Sequence, residues 1–255
     1  MNRTALLAGM VCLATAASAS AQDPFEIQVY QYLTVPKGKW NLETHFNYTA
    51  RGTTVAEGPV APTEGQLHLT FELTRGITDY VELAAYLVLA RREGHGPEYV
   101  GWRLRPRFRL PERWTGPIQV SLSTEVGFPR DRFDTEDVTL EVRPILEWKA
   151  GRVQIDLNPV VGRSLKGPGT TDGWDFEPGA RVGLRLSRVV DLSAEYYGAL
   201  GPVKNLDPAD QQVHQFFGGA DLWFRENVVL NFGVGFGATE AGNRTVLKTR
   251  LGWLL

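Results

Sequence analysis

The chain has 255 residues, of which 22% are charged and 43% hydrophobic, and its formal net charge is −2 at pH 7. That balance offers no basic surface for nucleic acid, and past residue 21 no apolar run approaches the ~20 residues that a membrane-crossing helix needs. The 27 glycines and the 11% aromatic content suit a β protein with many tight turns.

In chain order, the first element is a short apolar run from Ala5 to Ala17, preceded by Arg3 and followed by the small residues Ala19-Ser20-Ala21. This pattern predicts a cleaved export signal over residues 1–21. A lipid anchor on Cys12 is the rival reading, disfavoured by the bulky Val11 before it. Cys12 is the one cysteine, so cleavage leaves a chain without disulfide chemistry. Residues 22–39 follow. Phe25, Ile27 and Val29 alternate there with Glu26, Gln28 and Tyr30, ahead of Pro36-Lys37-Gly38-Lys39. This segment reads as an N-terminal periplasmic arm, a lumen plug or a strand over the barrel mouth.

From residue 40 to 255 the pattern is regular. Period-2 segments fall at 40–52, 64–74, 79–91, 98–110, 117–127, 136–149, 152–164, 173–186, 190–199, 211–224, 228–238 and 245–255. Each is long enough for a tilted spanning strand of ~9–11 residues. Tight turns at 75–78, 150–151, 187–188 and 225–227, and a longer one at 111–116, alternate with Gly/Pro/Asp-rich connections. Short turns alternating with longer loops predict an all-β, antiparallel up-and-down transmembrane β-barrel of about twelve strands, with both termini periplasmic. The last segment shows the faces: Leu247, Leu251, Trp253 and Leu255 lie opposite Lys248 and Arg250. Trp40, Trp102, Trp148, Trp174 and Trp253 fall on apolar faces near segment ends, as interfacial girdles require. The expected location is the bacterial outer membrane.

The fourth segment places Arg103, Arg105, Arg107 and Arg109 on one face. Facing lipid, each would cost ~2–4 kcal/mol near the midplane, so the ladder must line the interior. It reads either as a basic track for anionic solutes or as part of a salt-bridge lattice with Glu82, Glu125, Glu141 and Glu147. Twelve strands about 4.8 Å apart and tilted ~40° enclose a backbone radius of about 12 Å, which side chains narrow to a small lumen or none. His45 and His68 fall inward on consecutive segments near Glu43 and Glu72. A two-His, carboxylate site and a packed polar network both account for them, and we assign no metal and no cofactor. His95 and His214 carry no assigned role. No Gly-x-Ser-x-Gly elbow, zinc helix or phosphate loop occurs, and His214 is followed by Gln215-Phe216-Phe217 where outer-membrane phospholipases carry His-x-Ser-Asn. The chain therefore reads as a non-enzyme.

The hairpin Glu72-Leu73-Thr74-Arg75-Gly76-Ile77-Thr78-Asp79-Tyr80-Val81-Glu82-Leu83 resembles the recurring Gly-Leu-Thr-Asp-x-Val-Glu-Leu turn of transporter-like outer-membrane barrels of the MetA-pathway-of-phenol-degradation type. Ser187–Leu192 and Arg225–Leu230 echo it, and the stretch Asp23–Tyr30 is similar to the start of such barrels. The resemblance implies outer-membrane transport of small solutes, aromatic compounds among them. Such barrels commonly end in Phe, and this chain ends in Leu255. The expected function is a barrel passing or binding small solutes, with anionic and aromatic compounds as candidate classes. The alternatives are a closed structural or adhesin-like barrel, and then an outer-membrane lipid-modifying enzyme. The expected partners are outer-membrane lipid and lipopolysaccharide, small solutes and the barrel-insertion machinery.

Overall fold

A computed structural model describes residues 23–255; the expected export signal and Cys12 lie outside the described residues. Twelve strands form a closed barrel in sequence order. They are β1 (Trp40–Arg51), β2 (Leu67–Thr78), β3 (Val81–Arg91), β4 (Pro97–Arg109), β5 (Ile118–Pro129), β6 (Val138–Ala150), β7 (Val153–Lys166), β8 (Asp175–Arg185), β9 (Val190–Ala199), β10 (Val213–Arg225), β11 (Val228–Gly237) and β12 (Thr245–Leu254). Every neighbouring pair is antiparallel, and β1 closes on β12 through Leu42↔Trp253 to Thr49↔Val246. A closed sheet leaves no unpaired edge, the condition for spanning lipid with strands. One helical turn, α1 (Glu112–Thr115), bridges β4 and β5.

The burial pattern is inverted relative to a soluble sandwich. The outer face carries Leu73, Leu87, Leu104, Phe108, Leu157, Val182, Leu192, Phe232 and Leu247, all exposed, while the same strands bury Glu72, Glu82, Arg105, Asp156, Arg181 and Lys248. A continuous apolar exterior around a charged interior is a lipid-facing surface. Trp40, Trp148 and Trp253 stand exposed on the outer face at the end carrying the short turns. Trp102 stacks on Phe128 at 4.2 Å nearer the loop end.

One turn differs from expectation. The residues 75–78 were expected to form it, but β2 continues to Thr78 and pairs with Val81, so the connection is Asp79-Tyr80. A register shift between Gly76 and Thr78 lets the strand run on, and the bulge re-aims its end. Gly76 is needed for a second reason. A Cβ there would collide with the carbonyl oxygens of Val35 and Pro36, which pack against it from the preceding segment.

Residues 23–39 run through the barrel. Phe25 is buried among Ala84, Tyr86, Val88, Ala90 and Val100, and packs edge-on against Phe133 of the β5–β6 loop at 6.0 Å. Ile27 and Val29 are buried with Tyr197, Phe217 and Val246 on the opposite wall. At the other end the Gly38 N–H donates to the Gly76 carbonyl at 2.9 Å. The arm therefore enters at the short-turn end and reaches the loop end.

Candidate functional site

The lumen is built from inward-facing side chains of β1–β12, and the arm is held by them rather than by a strand ladder. A buried backbone must find partners for its N–H and C=O groups. Asn158 of β7 supplies both for Tyr30: its Oδ1 accepts from the Tyr30 N–H at 2.6 Å and its Nδ2 donates to the Tyr30 carbonyl at 3.0 Å. The Tyr32 N–H donates to Glu147 at 3.1 Å and the Val35 N–H to Glu82 at 2.6 Å. Asn47 donates to the Pro24 carbonyl at 2.9 Å and Arg143 to the Gln28 carbonyl at 3.3 Å.

The four arginines of β4 face the lumen and are all engaged. Arg103 pairs with Asp23 of the arm and with Glu125 at 3.2 Å. Arg105 pairs with Glu72 and, at 2.9 Å, with Glu82. Arg107 donates to the carbonyls of Gln31 and Leu33, the latter at 2.7 Å, and lies 3.6 Å from Glu82. Arg109 donates to the Asp79 carbonyl at 2.6 Å and to the Tyr32 hydroxyl at 3.2 Å. Three of the four thus hold the arm by hydrogen bonds or an ion pair. Burial pushes the Asp23 carboxyl up, but the Arg103 guanidinium outweighs it and holds the group below the usual carboxylate range.

The acidic candidates divide. Glu82 and Glu125 neutralise the ladder, whereas Glu141 pairs with Arg143 on its own strand at 2.8 Å. Glu147 takes Lys149 at 2.7 Å and the arm. At closure Arg250 meets Glu43 at 3.0 Å, and Lys248 reaches past β11 and β10 to Glu195 of β9. His45 and His68 do not face each other, because the register sets His68 opposite Asn47 and His45 opposite Thr70. His68 bonds Gln66 at 2.9 Å and meets the Phe25 ring at 4.7 Å. His214 bonds the Tyr196 hydroxyl at 2.9 Å, with no serine in that pair.

Tyr30 is the centre that sequence reasoning missed. Its ring lies 4.2 Å from the Arg143 guanidinium, 5.0 Å from that of Arg105 and 5.3 Å from that of Arg107. Its hydroxyl donates to Glu26 and lies 2.9 Å from the Tyr86 hydroxyl. Three guanidinium faces on one ring hold it by cation–π attraction in a site removed from water. Arg143 was recoverable from its parity with Glu141. Tyr30 had no such signal, because the arm carries no repeat that fixes its position. Beside the arm, voids of about 40 and about 20 Å³ remain, room for water and not for a sugar or aromatic solute.

No protein-family model matches the chain, and no curated protein matches it. Solved structures share its fold at low identity. The KdgM porin aligns at 6% identity with a TM-score of 0.56, and the KdgM porin in complex with disordered oligogalacturonate at 7% with 0.53. The NanC porin aligns at 7% with 0.52. Each alignment covers 84% of this chain and 98% of the other. At these identities the likeness is one of fold, a closed β-barrel.

Proposed function

We propose that this chain is an outer-membrane barrel that passes small anionic solutes, closed in this structure by its own N-terminal arm. The observation that carries the reading is the placement of the arm on the arginine ladder. Asp23 sits on Arg103, backbone carbonyls on Arg107 and the Tyr32 hydroxyl on Arg109. These are the contacts an anionic solute would make with the same groups. The KdgM porin with oligogalacturonate supports a solute path through a barrel of this fold. An aromatic carboxylate would also satisfy the guanidinium faces that now cover Tyr30.

A second reading, a closed structural barrel, draws on the filled lumen. Planar-bilayer recording separates the two. The full chain is expected to open rarely. A variant carrying Asp23→Asn, Tyr30→Ala and Tyr32→Ala is expected to open often and to prefer anions, and adding Arg103→Gln and Arg107→Gln should remove the preference. Silence from both proteins under all salts, or cation preference in the arm variant, refutes the proposal.

A further inference from the structure

Where the arm crosses the seam of β1 and β2, three buried side chains converge. Glu26 of the arm, His45 of β1 and Glu72 of β2 each present one ligand atom, and these atoms lie within 4.8 Å of one another. Their residues are 4%, 1% and 3% exposed. His45 Nε2 stands 3.7 Å from Glu43 Oε2 and 3.9 Å from Glu72 Oε2, beyond hydrogen-bond distance. Among the described residues it has no hydrogen-bond partner.

The carboxylates are already oriented. Glu72 Oε1 takes Arg105 and Thr74, and its Oε2 is the oxygen turned to His45. Glu26 Oε1 takes the Tyr30 hydroxyl, and Glu43 is fixed by Arg250 at 3.0 Å. Partners of this kind hold metal ligands in place. Arg105 and Arg250 offset much of the acidic charge, so the unpartnered imidazole, not the carboxylates, is what points to a ligand. One imidazole nitrogen with two or three carboxylate oxygens is a borderline donor set for a divalent transition metal. Zinc bonds of 2.0–2.1 Å put tetrahedral ligand atoms about 3.3 Å apart. The 3.9 Å between His45 and Glu72 needs a contraction of about 0.6 Å, and the three ligand atoms together, which lie within 4.8 Å, up to about 1.5 Å.

We propose that His45, Glu72 and Glu26, with Glu43 at hand, bind one divalent cation of the zinc class, and that the ion ties the arm to the barrel wall. This rests on the arm lying in the lumen, as the proposed function does, but binding is measurable whether or not the barrel conducts. The experiment uses the full chain folded in detergent, stripped with EDTA and titrated with Zn²⁺ by calorimetry. One ion per chain is expected, with Glu26→Gln and His45→Gln each weakening it at least tenfold. Heat-modifiable gel mobility verifies the fold of each variant. Glu26 lies on the arm, so its variant leaves strand pairing intact. In a Cys12→Ser background, the thiol introduced by Gln28→Cys should react with a thiol reagent several-fold more slowly with Zn²⁺, and EDTA should restore the rate. No saturable binding by the unsubstituted chain, or equal binding by both variants, overturns the site. Binding without any change in the labelling of the introduced thiol overturns the tie. A silent bilayer with zinc binding intact counts against the solute path alone.

Discussion

Asn158 holds a short length of arm in place of a neighbouring strand, one side chain meeting both backbone groups of Tyr30. Asn158→Ala leaves a buried N–H and a buried C=O without partners, a loss on the order of 2–4 kcal/mol in arm docking. Hydrogen exchange should report faster exchange over residues 26–33 and unchanged protection in β1–β12. Unchanged arm protection would mean that the arm's other contacts carry the docking without Asn158. Arg105 differs from its neighbours in the ladder. It joins Glu72 and Glu82 of the wall and reaches the arm through the face of Tyr30. Removing it takes the nearest cation from two buried carboxylates, Glu72 above all, the costly way to break an ion pair. Arg103 and Arg107 are therefore better probes of solute selectivity than Arg105.

At the level of elements, the β2–β3 hairpin does two jobs. Its Asp79-Tyr80 turn reverses the chain, and Gly76 opens the strand surface to the arm. The Gly-Ile-Thr-Asp run that resembles a recurring barrel turn is thus also the dock for Val35 and Pro36. Gly76→Val should push residues 34–39 off the hairpin, since the added side chain meets carbonyl oxygens that no rotamer change can move. Limited trypsin digestion should then cut at Lys37 and Lys39 several-fold faster than in the unsubstituted chain, while heat-modifiable mobility is retained. Equal cutting rates would show that the arm end does not need Gly76. The arm itself has no regular secondary structure over 26–31. It is an irregular chain inside a membrane-depth cavity, tolerated because protein side chains satisfy it.

For the whole molecule, the inverted burial decides the solvent. Phe232 is on the outer face near the middle of β11 and is exposed, so Phe232→Arg should cost ~2–4 kcal/mol in a bilayer. Guanidinium unfolding from lipid vesicles measures it, and a loss below about 0.5 kcal/mol would place this position outside the hydrocarbon. The interior is equally distinctive. Lys248–Glu195 and Arg181–Asp221 link strands that are not neighbours in the sheet. Such ties along the inner wall, with the arm, fill a barrel whose strand number alone would leave it narrow.

The strands were legible because parity is local. A residue's face depends on counting by two along its own segment, so the apolar exterior, the inward Arg103–Arg109 ladder and the placing of the connections followed from the amino acids alone. The end of β2 was misplaced because a bulge interrupts that count. Partners across the lumen were not legible. Register set His68 against Asn47 and left His45 beside Glu72, and Lys248 found its partner in Glu195, three strands away. The arm was least legible of all. Its position rests on single side chains of β1, β3, β4, β6 and β7 that meet only when the sheet closes around it, a condition no pattern within residues 22–39 can encode.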